Sequence, residues 1–87
     1  MGRIREDIAE RFDVPALAVN AAPRITLSGD RQVLVENHRG ILEYGGETVV
    51  LGGGRLRITI RGQGLFLRAM DSEMIMVGGQ IFGVDLE

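Results

Sequence analysis

The sequence predicts a small all-β fold, a β-sandwich of about eight short antiparallel strands behind one N-terminal amphipathic helix. Three observations predict it. From Arg24 onward, short apolar runs begin at near-even spacing, close to Arg24, Gln32, Gly40, Thr48, Arg55, Leu65, Met74 and Ile81. In the clearest run, Leu56, Ile58 and Ile60 alternate with Arg55, Arg57, Thr59 and Arg61, the period of two that a half-buried antiparallel strand requires. Finally, 13 of the 87 residues are glycine, and most of them fall between the runs, where tight hairpins need positive φ.

Each element has its own signal. Residues 1–14 carry the helix, because Ile4, Ile8 and Phe12 recur every four residues while Arg3, Glu6, Asp7, Glu10 and Arg11 cover the other side. Asp7 stands four residues before Arg11, a pairing worth about 0.2–0.5 kcal/mol. So short a helix is marginal alone in water, so its apolar face must dock, on its own domain or on another protein. Asp13, Val14 and Pro15 end it, since a residue preceding proline avoids the α region. Residues 15–23 read as a linker with two prolines and no charge. Residues 24–87 form the β domain, with turn signals at Ser28-Gly29-Asp30, His38-Arg39-Gly40, Gly45-Gly46, Gly52-Gly53-Gly54, Gly62-Gln63-Gly64, Asp71-Ser72 and Gly78-Gly79. Arg24-Ile25-Thr26-Leu27-Ser28-Gly29 resembles Arg57-Ile58-Thr59-Ile60-Arg61-Gly62, a weak repeat that suits two facing sheets. A short β-solenoid is the alternative, because glycine corners and even spacing also serve stacked coils. A domain this small buries modest area by itself, so a homo-oligomer is expected.

Composition narrows the chemistry. The formal net charge of -2 argues against nucleic acid as a partner. The basic face of Arg55, Arg57 and Arg61 has no interleaved aromatic platform and reads as a solvated strand face. All 10 basic residues are arginine, which reads most simply as compositional bias. With no cysteine, a disulfide framework, a thiolate nucleophile and a thiolate metal site are all excluded. The single histidine, His38, has no second imidazole with which to share a metal. Gly52-Gly53-Gly54 and Gly62-Gln63-Gly64 open no helix and lack the lysine of a phosphate loop. No catalytic residue, cofactor or metal ligand is assigned, and the expectation is a protein that is not an enzyme. No run approaches the roughly 20 apolar residues that span a bilayer. The charged start, Arg3 to Asp7, has no signal-peptide core, so the expectation is a soluble, cytoplasmic chain.

Three stretches together carry a family likeness: Pro23-Arg24-Ile25-Thr26, Val35-Glu36-Asn37-His38-Arg39-Gly40 and Gly78-Gly79-Gln80-Ile81. Behind a charged N-terminal helix and a short linker, they make a chain that resembles the YabP/YqfC family of bacterial sporulation proteins. The most specific piece is Glu36-Asn37-His38-Arg39-Gly40. The resemblance implies a non-enzymatic sporulation factor of endospore-forming Firmicutes, structural or adaptor in character. It would act in the mother cell at the developing spore envelope, held at the forespore membrane through a membrane-bound, YqfD-like partner. The Gly52-Gly53-Gly54 run departs from the family pattern and makes that turn looser than expected.

Two groups of residues are candidates for partner binding. Asn37, His38 and Arg39 read as a recognition loop in which Arg39 grips a carboxylate. The competing reading is a hairpin turn, with Asn37 bonding its own backbone and Gly40 at positive φ. On the recognition reading, replacing His38 and Arg39 spares stability and impairs binding. Ile4, Ile8 and Phe12 form the second candidate surface, facing the chain's own sheet, a second copy or a membrane-bound partner. Met70, Met74 and Met76 read as core filling, with Met74 and Met76 set opposite to Ile75 and Val77 where an interface could use them.

Overall fold

A computed structural model describes residues 22–87. The predicted helix over residues 1–14, with Ile4, Ile8 and Phe12, lies outside the described residues, as does most of the linker. The described chain is all-β: β1 (Arg24–Ser28), β2 (Gln32–Glu36), β3 (Ile41–Tyr44), β4 (Thr48–Gly53), β5 (Leu56–Met70) and β6 (Met74–Leu86). They form one open sheet in the order β1-β2-β6-β5-β4-β3, antiparallel throughout.

This corrects the expected sandwich of eight strands, and the stacked coils of a solenoid are not formed either. The runs starting near Arg55 and Leu65 are one strand, β5, and those starting near Met74 and Ile81 are one strand, β6. Gly62-Gln63-Gly64 and Gly78-Gly79 bend these strands without reversing them. The 15 residues of β5 would span about 50 Å if straight, yet the longest dimension is 38 Å. Register shifts between Arg61 and Gly62, Gln63 and Phe66, and Leu67 and Ala69 mark bulges that supply the bend. Glycine is required there. A Cβ on Gly62 would overlap the Gln80 carbonyl oxygen, and one on Gly79 (φ 125°) would lie 2.6 Å from the Gly64 carbonyl oxygen.

Two hairpins lock the bend from opposite sides. The β1–β2 turn reaches β6, where Gly79 N–H donates to the Arg31 carbonyl at 3.2 Å and Ile81 N–H to the Asp30 carbonyl at 2.8 Å. The β3–β4 turn reaches β5, where Gly62 N–H donates to the Glu47 carbonyl at 3.0 Å and Leu65 N–H to the Gly46 carbonyl at 2.8 Å. Gln80 Nε2 adds a 2.9 Å bond to Asp30 Oδ2.

The bend closes one face of the sheet on itself. Val33 and Val35 of β2, Val49 and Leu51 of β4, Ile58, Ile60 and Leu65 of β5, and Ile75, Val77 and Ile81 of β6 form a single core cluster. With no second layer among the described residues, a flat sheet would leave these side chains wet. The two arms of the bent sheet cover each other instead. The expected alternation holds on β5: Ile58 and Ile60 are wholly buried while Arg57 and Arg61 are exposed. The Gly52-Gly53-Gly54 segment is tight rather than loose. Gly53 pairs with Leu56 across a two-residue turn whose first position, Gly54, has φ 69°, a geometry hairpins favour.

Candidate functional site

Residues 37–40 are not a hairpin turn. β2 and β3 stand four places apart in the sheet, so this segment crosses the ends of β6, β5 and β4 to join them. Its backbone is held along the way. Asn37 N–H donates to the Glu73 carbonyl at 2.6 Å, Arg39 N–H to the Gly52 carbonyl at 2.7 Å, and Gly52 N–H to the Gly40 carbonyl at 3.0 Å. Asn37 takes φ 69° and Gly40 φ 108°, conformations that asparagine tolerates and glycine allows. The Asn37 side chain reaches back to the residue before β1, its Nδ2 donating to the Ala22 carbonyl at 3.2 Å.

His38 is drawn inward and is only 6 % exposed. Gly40 N–H donates to its Nδ1 at 2.9 Å, so the ring proton sits on Nε2, 3.2 Å from the Asp71 carbonyl that accepts it. The ring therefore ties the crossover to the β5–β6 turn. Asp71 organises that turn in its own right. Its Oδ1 accepts from Glu73 N–H and Met74 N–H, both at 2.8 Å, and these bonds hold its carboxyl below the ordinary aspartate value. Asp71 N–H closes the loop on the Met74 carbonyl at 2.8 Å.

The three residues predicted as one recognition loop thus divide. His38 faces the interior and Asn37 clasps Ala22 ahead of β1, while Arg39 extends its side chain into solvent. Arg39 borders a shallow groove of about 600 Å³, with Arg55 as its second cation and Pro23, Gly54 and Leu56 among its walls. A second open groove, about 310 Å³, lies between Arg24, Glu36, Asp71, Glu73 and Met74. Sequence reasoning missed the pairing of Arg39 with Arg55, because only the crossover brings residue 39 to the β4–β5 turn. Arg55 itself occupies that turn rather than a strand face. Arg61 lies over Gly83 and pairs with Asp85 at 2.7 Å, so the basic stripe is partly neutralised. That pair is half exposed and contributes at most about 1 kcal/mol.

Among the described residues, no three His, Asp or Glu side chains gather where they could hold a metal ion. No helix of the described residues is long and apolar enough to cross a membrane.

Comparison with known proteins bears on the likeness carried by the Glu36–Gly40 motif. The YabP family matches over residues 20–87, which includes every strand of the sheet. The chain is also similar to the uncharacterized protein YqfC of Bacillus subtilis (strain 168), with 28 % identity over 79 residues, covering 91 % of this chain and 85 % of that protein. No solved structure matches. The sheet, the 37–40 crossover and its Asn37-His38-Arg39-Gly40 segment all fall inside the matched region, and the chain belongs to the YabP family.

Proposed function

We propose that this protein is a non-enzymatic sporulation factor, a structural or adaptor module that binds other protein at the developing spore envelope. On this reading it acts in the mother cell and is held at the forespore membrane by a membrane-bound, YqfD-like partner. The observation that carries the proposal is the family match over the whole described sheet. The chemistry of the molecule supports it. Its one histidine spends both ring nitrogens on backbone groups, and its grooves are shallow and open. Large apolar side chains such as Leu27, Leu42, Tyr44 and Phe82 are more than half exposed, as on a protein that presents surface to partners.

Deleting the gene in its endospore-forming host and counting heat-resistant spores tests the role. A loss restored by the intact chain supports the proposal, and an undiminished count refutes it. Co-purification from detergent-solubilised sporulating cells tests the partner: recovery of a membrane protein with the wild-type chain, reduced for Arg39→Glu, is expected.

A second reading, a polymer-forming β scaffold, is favoured by the two edges of the sheet that the described residues form. β1 and β3 end the sheet and run in opposite directions, so head-to-tail copies would continue the antiparallel alternation. Sedimentation velocity separates the two readings: a discrete small homo-oligomer or monomer excludes the polymer, whereas long assemblies support it.

A further inference from the structure

The outer face of the sheet differs between its two arms. On the arm formed by β4, β3 and the paired halves of β5 and β6, every row across the strands carries charge. Thr48 stands beside Arg61, Val50 beside Thr59, Asp85 and Glu43, and Gly52 beside Arg57. The other arm contains an uncharged row. Register places Thr26 of β1 opposite Leu34 of β2, Leu34 opposite Met76 of β6, and Met76 opposite Ala69 of β5. These side chains point away from the core, because Val33, Val35, Ile75 and Val77 alternate with them and are wholly buried. Met74 extends the row on one side and Phe66, 43 % exposed, on the other. The Phe66 ring and the Arg68 guanidinium, 5.3 Å from the ring centroid, both lie across Gly78 at the edge of the row, leaving no room there for a side chain. An uncharged row four strands wide, with half-buried Leu34 and Met76 at its centre, is what a sheet has where something packs over it.

The chain itself supplies the occupant. Twenty-one residues precede the described part, which begins at Ala22; its carbonyl is bonded by Asn37, and it borders the groove formed with Arg24, Glu36 and Met74 as well as the one beside Arg39 and Arg55. Among the preceding residues Ile4, Ile8 and Phe12 recur at helical spacing with charged residues between. Nine residues in helical form measure about 14 Å, which matches the roughly 14 Å from β1 to β5 across three strand spacings. Residues 13–21 reach up to about 30 Å when extended, ample to bring the segment back over the row.

We propose that the outer face of β1, β2, β6 and β5, centred on Leu34 and Met76, is the docking surface for the chain's own residues 4–12, with Ile4, Ile8 and Phe12 against it. The inference is independent of the functional reading above. It gives Met74 and Met76 a covering layer, and it makes the Ile4-Ile8-Phe12 face an internal contact.

The absence of cysteine from the chain makes the test direct. The full-length pair Ile8→Cys/Met76→Cys, under mild oxidation, forms an intramolecular disulfide about tenfold faster than the control pair Ile8→Cys/Thr59→Cys, since Thr59 lies on the charged arm. A rate equal to the control overturns the proposal, as does a cross-link found only in covalent dimers, which assigns the face to a second copy. If the cysteine pair fails to fold, a double-mutant cycle decides. Ile8→Ala and Leu34→Ala each lower the melting temperature of the full chain, and together they lower it by less than the sum. Additive shifts refute the contact.

Discussion

Replacing His38 with alanine separates the structural reading of the crossover from the recognition reading. The wild-type ring is buried and bonds two backbone groups, the Gly40 N–H and the Asp71 carbonyl. Alanine leaves both without their partner. An unmade bond to a buried group costs about 1–3 kcal/mol, but both groups lie near the surface, where water can replace part of the loss. About 2 kcal/mol in total is expected, which for a domain of this size lowers the melting temperature by about 8–16 °C. Arg39→Ala is the matched control. It leaves the Arg39 N–H bond to Gly52 in place and removes only an exposed side chain, so its change stays within about 0.5 kcal/mol. Thermal melts of the full chain followed by far-ultraviolet circular dichroism measure both. If His38→Ala melts with the wild type and Arg39→Ala, the tie between crossover and β5–β6 turn contributes nothing to stability, which contradicts a structural role for the ring. Partner capture complements the melts: Arg39→Glu reduces it while folding normally.

Further outcomes follow from the same structure. Gly62→Ala drives a methyl into the Gln80 backbone and destabilises by about 3 kcal/mol or more, whereas Gly46→Ala, with nothing near its Cβ position, is close to neutral; urea titration ranks them. Ile58→Ala empties a wholly buried site and costs about 2–5 kcal/mol, while Phe82→Ala at a 60 % exposed bulge changes stability by less than about 0.5 kcal/mol. Asp71 has a lowered folded-state pKa, so its contribution is present above the ordinary aspartate value and is lost as pH falls through the folded one. Asp71→Asn is therefore less stable than wild type near neutral pH, and the gap between their melting temperatures closes on acidification; a gap that widens contradicts the assignment.

Local alternation made much of the sheet legible. The runs at Arg24, Gln32 and Thr48 begin where β1, β2 and β4 begin, and Ile58 and Ile60 are buried as the pattern requires, whereas Leu56 beside the β4–β5 turn is exposed. Strand number was not legible, because a glycine pair relieves steric conflict equally in a turn and in a bend. What decides between them at Gly62 and Gly79 is a set of bonds to turns 15 and 48 residues away in sequence, Glu47 and Arg31. No local window contains that information. The burial of His38 was hidden for the same reason. Flanked by Asn37 and Gly40, it reads as part of a surface turn, and only the passage of the chain over three strand ends places the ring inside. The uncharged row from Thr26 to Ala69 depends on the register of four strands, and Met70, Met74 and Met76 do not fill the core as expected: Met70 is exposed, and Met74 and Met76 lie on the face opposite to buried Ile75 and Val77.

β5 and β6 run unbroken through their glycines, so that one sheet wraps one core and turns its other face outward. Amide hydrogen exchange resolved by NMR tests this at four positions. Gly62, Leu65, Gly79 and Ile81, each bonded to a hairpin turn across the bend, should exchange nearly as slowly as the core amides of Ile58 and Val77. Exchange at these four as fast as in an open turn would show eight separate strands and contradict the fold on which the proposed interaction surfaces rest.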